Sequence, residues 1–172
     1  MGCCSNKDAF KDVTVSEAVK PYTNAKFSMG RLADLKEQWE LSSKCLGEGA
    51  FGKVYLGINK KDPEFKVAIK VINKRSFDKG MLEDLENEIK LMHLVDHPNI
   101  AKHYETYDEV NYIYMVMELC PNGDLYDMII RNGHLCEKDS SEIMFKVVKA
   151  LNHCHSMNIM HRDIKPENIV FG

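Results

Sequence analysis

Three glycines, Gly47, Gly49 and Gly52, fall within six positions between two stretches that read as strands. Glycine at that density weakens a strand unless the backbone there must be approached closely or bent sharply. Residues 40–46 have strand character. After the glycines, Val54, Leu56 and Ile58 alternate with Lys53, Tyr55 and Gly57, the period of a half-buried strand. The chain is therefore constrained to a strand, a tip of bare backbone, and a second strand.

Three phosphate-binding patterns compete for such a tip, and a hairpin with no ligand is the plain alternative. A P-loop, G-x-x-x-x-G-K-[ST], fits Gly47, Gly52 and Lys53, but Val54 stands where a hydroxyl must hold magnesium. A dinucleotide fingerprint, G-x-G-x-x-G, also fits. It must open a helix and be followed by a strand-end carboxylate about 20 residues on; here a strand follows, and the segment near residue 70 is "VAIK". The third pattern, G-x-G-x-x-G-x-V between two strands, matches Gly47, Gly49, Gly52 and Val54 at every specified position. In it, backbone N–H groups cover nucleotide phosphates where side chains are absent.

Further along, "KKDPE" is a turn and "FKVAIKVI" a strand. The period then changes: Leu82, Leu85, Ile89 and Met92 form one helical stripe. "DHPNI" ends that helix, since proline disfavours helix at the preceding residue. "AKHYETY" and "YIYMVME" are two more strands, "PNGD" turns into a helix ending near Arg131, and a longer helix spans about Glu137 to Met157 with Ile143, Val147, Leu151 and Cys154 on one side. Strands with one helix, then helices, predict a β-rich lobe followed by an α-rich one. Residues 1–38 lack a clear period and read as an extension, with a short helix around Arg31–Trp39.

Composition narrows the partners. With 44% hydrophobic residues, 28% charged residues and a formal charge of −3, the chain suits a soluble domain and gives no support for nucleic-acid binding. No apolar run approaches the length of a membrane-spanning helix. The six cysteines form no repeating framework, which fits free thiols in a reducing cytoplasm. "HCH" at 153–155 puts its two imidazoles on different faces of a helix, which argues against zinc.

Two further features give the glycine tip a chemistry. Lys70 alternates into an apolar strand between Ile69 and Val71, where an ammonium is expensive unless paired. Its anionic partners would be phosphate oxygens and a carboxylate on the stripe helix: Glu88 beside Ile89, with Glu86 and Glu83 as alternatives by spacing. Near the C-terminus, "HRDIKPENIVF" sets Asp163, Lys165 and Asn168 within six residues. Asp163 could accept a proton from a substrate hydroxyl, Lys165 could neutralise a transferring phosphoryl group, and Asn168 offers an oxygen to magnesium, a hard cation.

The glycine loop, "VAIK" and H-R-D-x-x-x-x-N occur in order, and residues 40–172 resemble a eukaryotic protein kinase. "DIKPEN" is similar to the serine/threonine branch, while "DHPNI", "VMELCPNGDL" and "IMHRDIKPENI" resemble the calcium-dependent and calmodulin-dependent group. The resemblance implies an α+β, protein-kinase-like fold: an extension over 1–38, a five-stranded N-lobe with one helix over 39–119, and the hinge and first part of a helical C-lobe over 120–172. It implies ATP and magnesium as cofactors and protein serine or threonine as substrate. ATP would be held by the loop from Leu46 through Gly47, Glu48, Gly49, Ala50, Phe51, Gly52 and Lys53 to Val54, with Ala68 beside the adenine. Met117 would be the gatekeeper, Glu118 to Cys120 the hinge, and Asp124 the contact to ribose or substrate. Lys70 would bind phosphates and pair with Glu88. Asp163 would be the catalytic base, with Lys165 beside it, and Asn168 a magnesium ligand. Glu167 sits where basophilic members read a substrate arginine. His103 stands where the family has an apolar residue stacked with Met92 and His161.

"MGCCSNK" places Gly2 for myristoylation and Cys3 and Cys4 for palmitoylation, a beginning similar to that of calcium-dependent kinases, although Asn6 stands where the acceptor pattern wants Ser or Thr. Two acyl chains would anchor the chain on the cytoplasmic face of a membrane. The sequence contains no D-F-G and no D-x-D-x-D-G calcium loop. The resemblance therefore implies a shortened kinase, inactive by itself, with calcium control inferred from relatives alone. The alternatives are a non-catalytic nucleotide-binding or docking module and a membrane-bound competitor.

Overall fold

The computed structural model describes residues 29–30, 32–49 and 52–172. Gly2, Cys3, Cys4, Ala50 and Phe51 lie outside the described residues. The chain divides into two compact units, one holding the described residues as far as Asp96 with Ala101–Leu119, the other His97–Ile100 with Cys120–Gly172.

The first unit is built on a six-stranded sheet of order β1-β5-β6-β4-β3-β2. Its strands are β1 Met29–Gly30, β2 Trp39–Gly49, β3 Gly52–Asn59, β4 Lys66–Asn73, β5 His103–Asp108 and β6 Tyr112–Glu118. β1 runs parallel to β5, and every other neighbouring pair is antiparallel. The five expected strands are β2 to β6. β4 reads as a continuous apolar run because both of its faces are covered. Val67 and Ile69 point into a cluster with Leu35, Trp39, Tyr104, Tyr107 and Val116. Ile72 faces the other way, with Ile89, Ile113 and Met115.

Helix α2, Lys79–Leu94, supplies Ile89 to the second cluster, with Leu85 and Met92 packed against it. Three- and four-residue steps put those side chains on one side of the helix. Asp78 starts the helix, its carboxylate accepting a hydrogen bond from the Met81 amide.

The short helix expected around Arg31–Trp39 is present as α1, Leu32–Gln38. What the sequence reading does not contain is its packing, since residues 1–38 read as an extension outside the sheet lobe. α1 and Trp39 pack into the sheet unit: Leu35 and Trp39 are each 2% exposed. Leu35 from the helix and Trp39 from the first position of β2 meet in the same cluster. Glu105 on β5 collects Gln38 Nε2 at 3.4 Å, Trp39 Nε1 at 3.4 Å and Tyr107 Oη at 2.5 Å.

His103 fills its position as a polar member of the core. It is buried, its Nε2 lies 2.8 Å from Thr106 Oγ1, and its ring stands edge-on to His93 at 5.6 Å. Burial, reinforced by the His93 imidazole, pushes its pKa down to about 4, so the ring is neutral at physiological pH.

The second unit contains α3, Leu125–Asn132, and α4, Glu137–Ser156. Ile143 and Cys154 are buried on α4, with Val147 and Leu151 half-buried on the same stripe. The segment His97–Ile100 belongs to this unit, and His97 stacks on His153 at 5.1 Å with 28° between the rings.

Candidate active site

In the sheet unit, strand register assembles the predicted nucleotide face. Lys70 lies opposite Val54 on β3 and Met115 on β6; Ala68 lies opposite Leu56 and Met117. Directly opposed residues share a face, so Val54, Ala68, Lys70 and Met117 are on one side of the sheet. Ile72 and Met115 are on that side too, which makes it the side that α2 covers.

The three loop glycines do different things. A Cβ on Gly52 would sit 2.0 Å from the Val71 carbonyl oxygen, so β3 can approach β4 only with glycine there. A Cβ on Gly47 or Gly49 would meet nothing within 4 Å, and neither residue takes a positive φ. The fold itself gives no reason for glycine at those two positions. Glu48 and Lys53 face each other across the β2–β3 ladder, Nζ to Oε2 at 3.2 Å, and the Glu48 carboxylate raises the Lys53 pKa. Leu46 lies at an irregularity of that ladder, 40% exposed.

Lys70 is half-buried, whereas Glu88 and Glu83 are exposed and Glu86 is half-buried. Among the described residues no ion pair joins Lys70 to Glu88. Ile89 is the residue seated on the sheet, and its predecessor lies about 100° round the helix from that seat. Glu118 is tied to the residue preceding β5: its amide donates to the Lys102 carbonyl at 2.8 Å and its carboxylate accepts from the Lys102 amide at 3.1 Å.

In the helical unit, Asp163, Lys165 and Asn168 come together. Lys165 Nζ is 2.9 Å from Asp163 Oδ2. Asn168 Nδ2 donates to the Asp163 carbonyl at 2.8 Å and to its Oδ2 at 2.9 Å. The hydrogen bond from Lys165, then that from Asn168, hold the Asp163 carboxyl below its ordinary pKa, and Asp163 in turn raises Lys165. With its amide nitrogen turned to Asp163, Asn168 directs its oxygen elsewhere. Arg162 takes φ 64°, left-handed for a side chain that rarely adopts it; such strain is concentrated at functional turns.

The loop's exit is anchored to the start of α3. Leu125 N donates to Ile169 O at 2.8 Å, Phe171 N to Gly123 O at 2.9 Å, and Asp124 bridges Val170. The Asp124 side chain caps α3, accepting from the Asp127 amide at 2.8 Å. The sequence does not separate that structural task from a ligand role, although Asp three positions before a helical amide is a capping signal. Cys120, the other hinge position, is half-buried.

The protein kinase domain family model matches residues 41–172. The chain is 44% identical over 138 residues to calcium-dependent protein kinase 5 of Plasmodium berghei, covering 80% of this chain and 24% of that protein. It is 38% identical over 142 residues to calcium/calmodulin-dependent protein kinase type 1 of Macrobrachium nipponense, covering 83% of this chain and 41% of that protein. The crystal structure of Rad53 1–466 in complex with AMP-PNP aligns with a TM-score of 0.70 and 30% identity, over 78% of this chain and 34% of that one. The chain thus spans a minor part of the length of the relatives it matches. The family model takes in the glycine strands of the sheet unit and the Asp163–Asn168 loop of the helical unit, and on that ground the chain belongs to the protein kinase family.

Proposed function

We propose that this chain is the nucleotide-binding and catalytic-loop portion of an ATP- and magnesium-dependent protein serine/threonine kinase of the calcium-dependent type. The observation that carries the reading is the pair Gly47 and Gly49: glycines in extended backbone with open space around them, for which the fold has no use. Bare N–H groups at a strand tip suit phosphate oxygens, and Lys70 on the adjoining face supplies a cation. The Asn168 side-chain oxygen, turned away from Asp163 because the amide nitrogen binds there, is a hard donor of the kind magnesium takes, so the residue present fits the metal. When bound, magnesium would neutralise phosphate charge. Asp163, held ionised, would accept the hydrogen bond of a substrate hydroxyl and orient it; Lys165 beside it would offset developing negative charge.

Binding of ATP with magnesium tests this directly. Gly49→Val should leave the melting temperature within a degree or two of wild type, because the space is open and β-branched residues suit a strand. It should weaken ATP at least about tenfold, since the side chain would stand where phosphate approaches. Gly52→Ala should instead lower stability, by about 1–3 kcal/mol for overpacking. Unchanged ATP affinity in Gly49→Val would remove the reading.

The calcium-dependent assignment is supported by the names of the relatives and the "MGCCSNK" start. With it we propose acylation at Gly2, Cys3 and Cys4, which would hold the protein at the cytoplasmic face of a membrane. Gly2→Ala should shift the protein from the membrane to the soluble fraction on cell fractionation; equal fractions would count against acylation.

A further inference from the structure

The family match begins at residue 41, so β1, α1 and Trp39 precede it. Their seat on the sheet leads to α2. β1 lies beside β5 with Met29 in register with Thr106 and Gly30 with Tyr107. Leu32 N donates to Glu109 Oε1 at 2.5 Å, fastening the entry to α1. Thr106 is 3% exposed, and its hydroxyl lies 2.8 Å from His103 Nε2.

A ladder irregularity between His103 and Glu105 is what lets residues three apart face the same way: His103 lies opposite Met117, and Thr106 opposite Met115. Both therefore point to the side that α2 covers. The His103 ring then meets His93, in the last turn of α2. Backbone pairing, a hydroxyl–imidazole hydrogen bond and an edge-to-face ring contact thus run without a gap from the entering segment to the helix that carries Glu88.

We propose that the segment before the matched domain is a lever on α2, acting through Thr106 and His103 as positioning residues. With β1 seated, the β5 backbone at Thr106 is paired on both edges and its hydroxyl is aimed at His103. With β1 released, β5 becomes an edge strand, the hydroxyl loses its fixed direction, and the His103 prop under α2 loosens. The occupant of this edge is the chain's own N-terminal stretch, so whatever holds or pulls that stretch acts on α2. The effect on nucleotide rests on the function proposed above; the effect on α2 does not.

The test compares hydrogen exchange across α2, without nucleotide, in the wild type, a chain begun at Leu32, Thr106→Val, and the two changes together. Each single change should speed exchange at α2 about fivefold, the size of a modest coupling. The double change should add nothing further, because both cut the same connection. Thr106→Ser, which keeps the hydroxyl, should restore wild-type exchange. Exchange at α2 unchanged in the shortened chain, effects that multiply in the double change, or failure of Thr106→Ser to rescue would each overturn the lever. If the shortened chain does not fold, the Thr106→Val and Thr106→Ser pair in the full chain decides alone. ATP affinity of the wild type, measured alongside, separates the two ideas: unchanged α2 exchange in the variants while the wild type binds ATP overturns the lever alone, and altered α2 exchange with no ATP binding overturns the proposed function alone.

Discussion

Trp39→Ala should lower the stability of the sheet unit by about 3–5 kcal/mol, the range for removing a large buried aromatic side chain. Trp39 is 2% exposed and belongs to the cluster of Leu35, Val67, Ile69, Tyr104, Tyr107 and Val116. Phe65 lies against it at 5.7 Å between ring centroids. The void left by alanine would be walled by strands β4, β5 and β6, which are hydrogen-bonded into the sheet and cannot close on it without breaking register. Removing the indole also takes Nε1–H from Glu105, whose carboxylate keeps Gln38 and Tyr107 as donors. Trp39→Phe should therefore lose less than half as much, because it keeps a ring in the cluster and forfeits mainly a long hydrogen bond of 3.4 Å. Urea unfolding followed by circular dichroism measures both, since Trp39 is the only tryptophan and its fluorescence disappears with it. A loss under about 1 kcal/mol in Trp39→Ala would mean that α1 and Trp39 decorate the sheet rather than complete it.

That the short helix before Trp39 is legible in the sequence while the burial of Leu35 and Trp39 is not shows what pattern reasoning reaches. Alternation in β3 and the stripe of α2 are local: each needs only one covered face to impose its period, so Val54, Leu56 and Ile89 are legible without a partner. The burial of Leu35 and Trp39 depends on Tyr104 and Tyr107, on a strand more than sixty residues later, and no window contains both. The same holds for the glycines. Spacing marks all three, but only the closeness of Val71 separates Gly52, which the packing requires, from Gly47 and Gly49, which it does not. The expected Lys70–Glu88 pair follows from residue types and helix spacing. The structure leaves it unmade, because the seat of α2 is set by Ile89 and its apolar neighbours rather than by the carboxylate. The Asp163, Lys165 and Asn168 cluster is legible because a short loop can hardly keep residues two and five apart from meeting.

Asp163→Asn should reduce the phosphorylation rate of the protein expressed from its full coding sequence by about 10²–10⁴, the usual contribution of a positioned acid–base group, with MgATP affinity changed less than about threefold. The substitution keeps size and shape but removes the negative charge. In the wild type, Asp163 Oδ2 receives both Lys165 Nζ and Asn168 Nδ2 at 2.9 Å. An amide can satisfy one of these with its oxygen, but it offers a substrate hydroxyl a donor where an acceptor is needed. The loss should therefore appear equally in kcat and kcat/KM, as expected for an interaction made in the transition state rather than in substrate binding. The pH dependence has a definite sign. Hydrogen bonds from Lys165 and Asn168 favour the charged carboxylate and depress the Asp163 pKa. The active, ionised form thus persists as pH falls past the ordinary aspartate value of about 3.9, so the acid limb assigned to this group should lie below it. Replacing Lys165 with methionine removes the stronger of the two donors and should move that limb upward. Phosphorylation that survives Asp163→Asn undiminished would separate this loop from the chemistry, whatever the glycine tip binds.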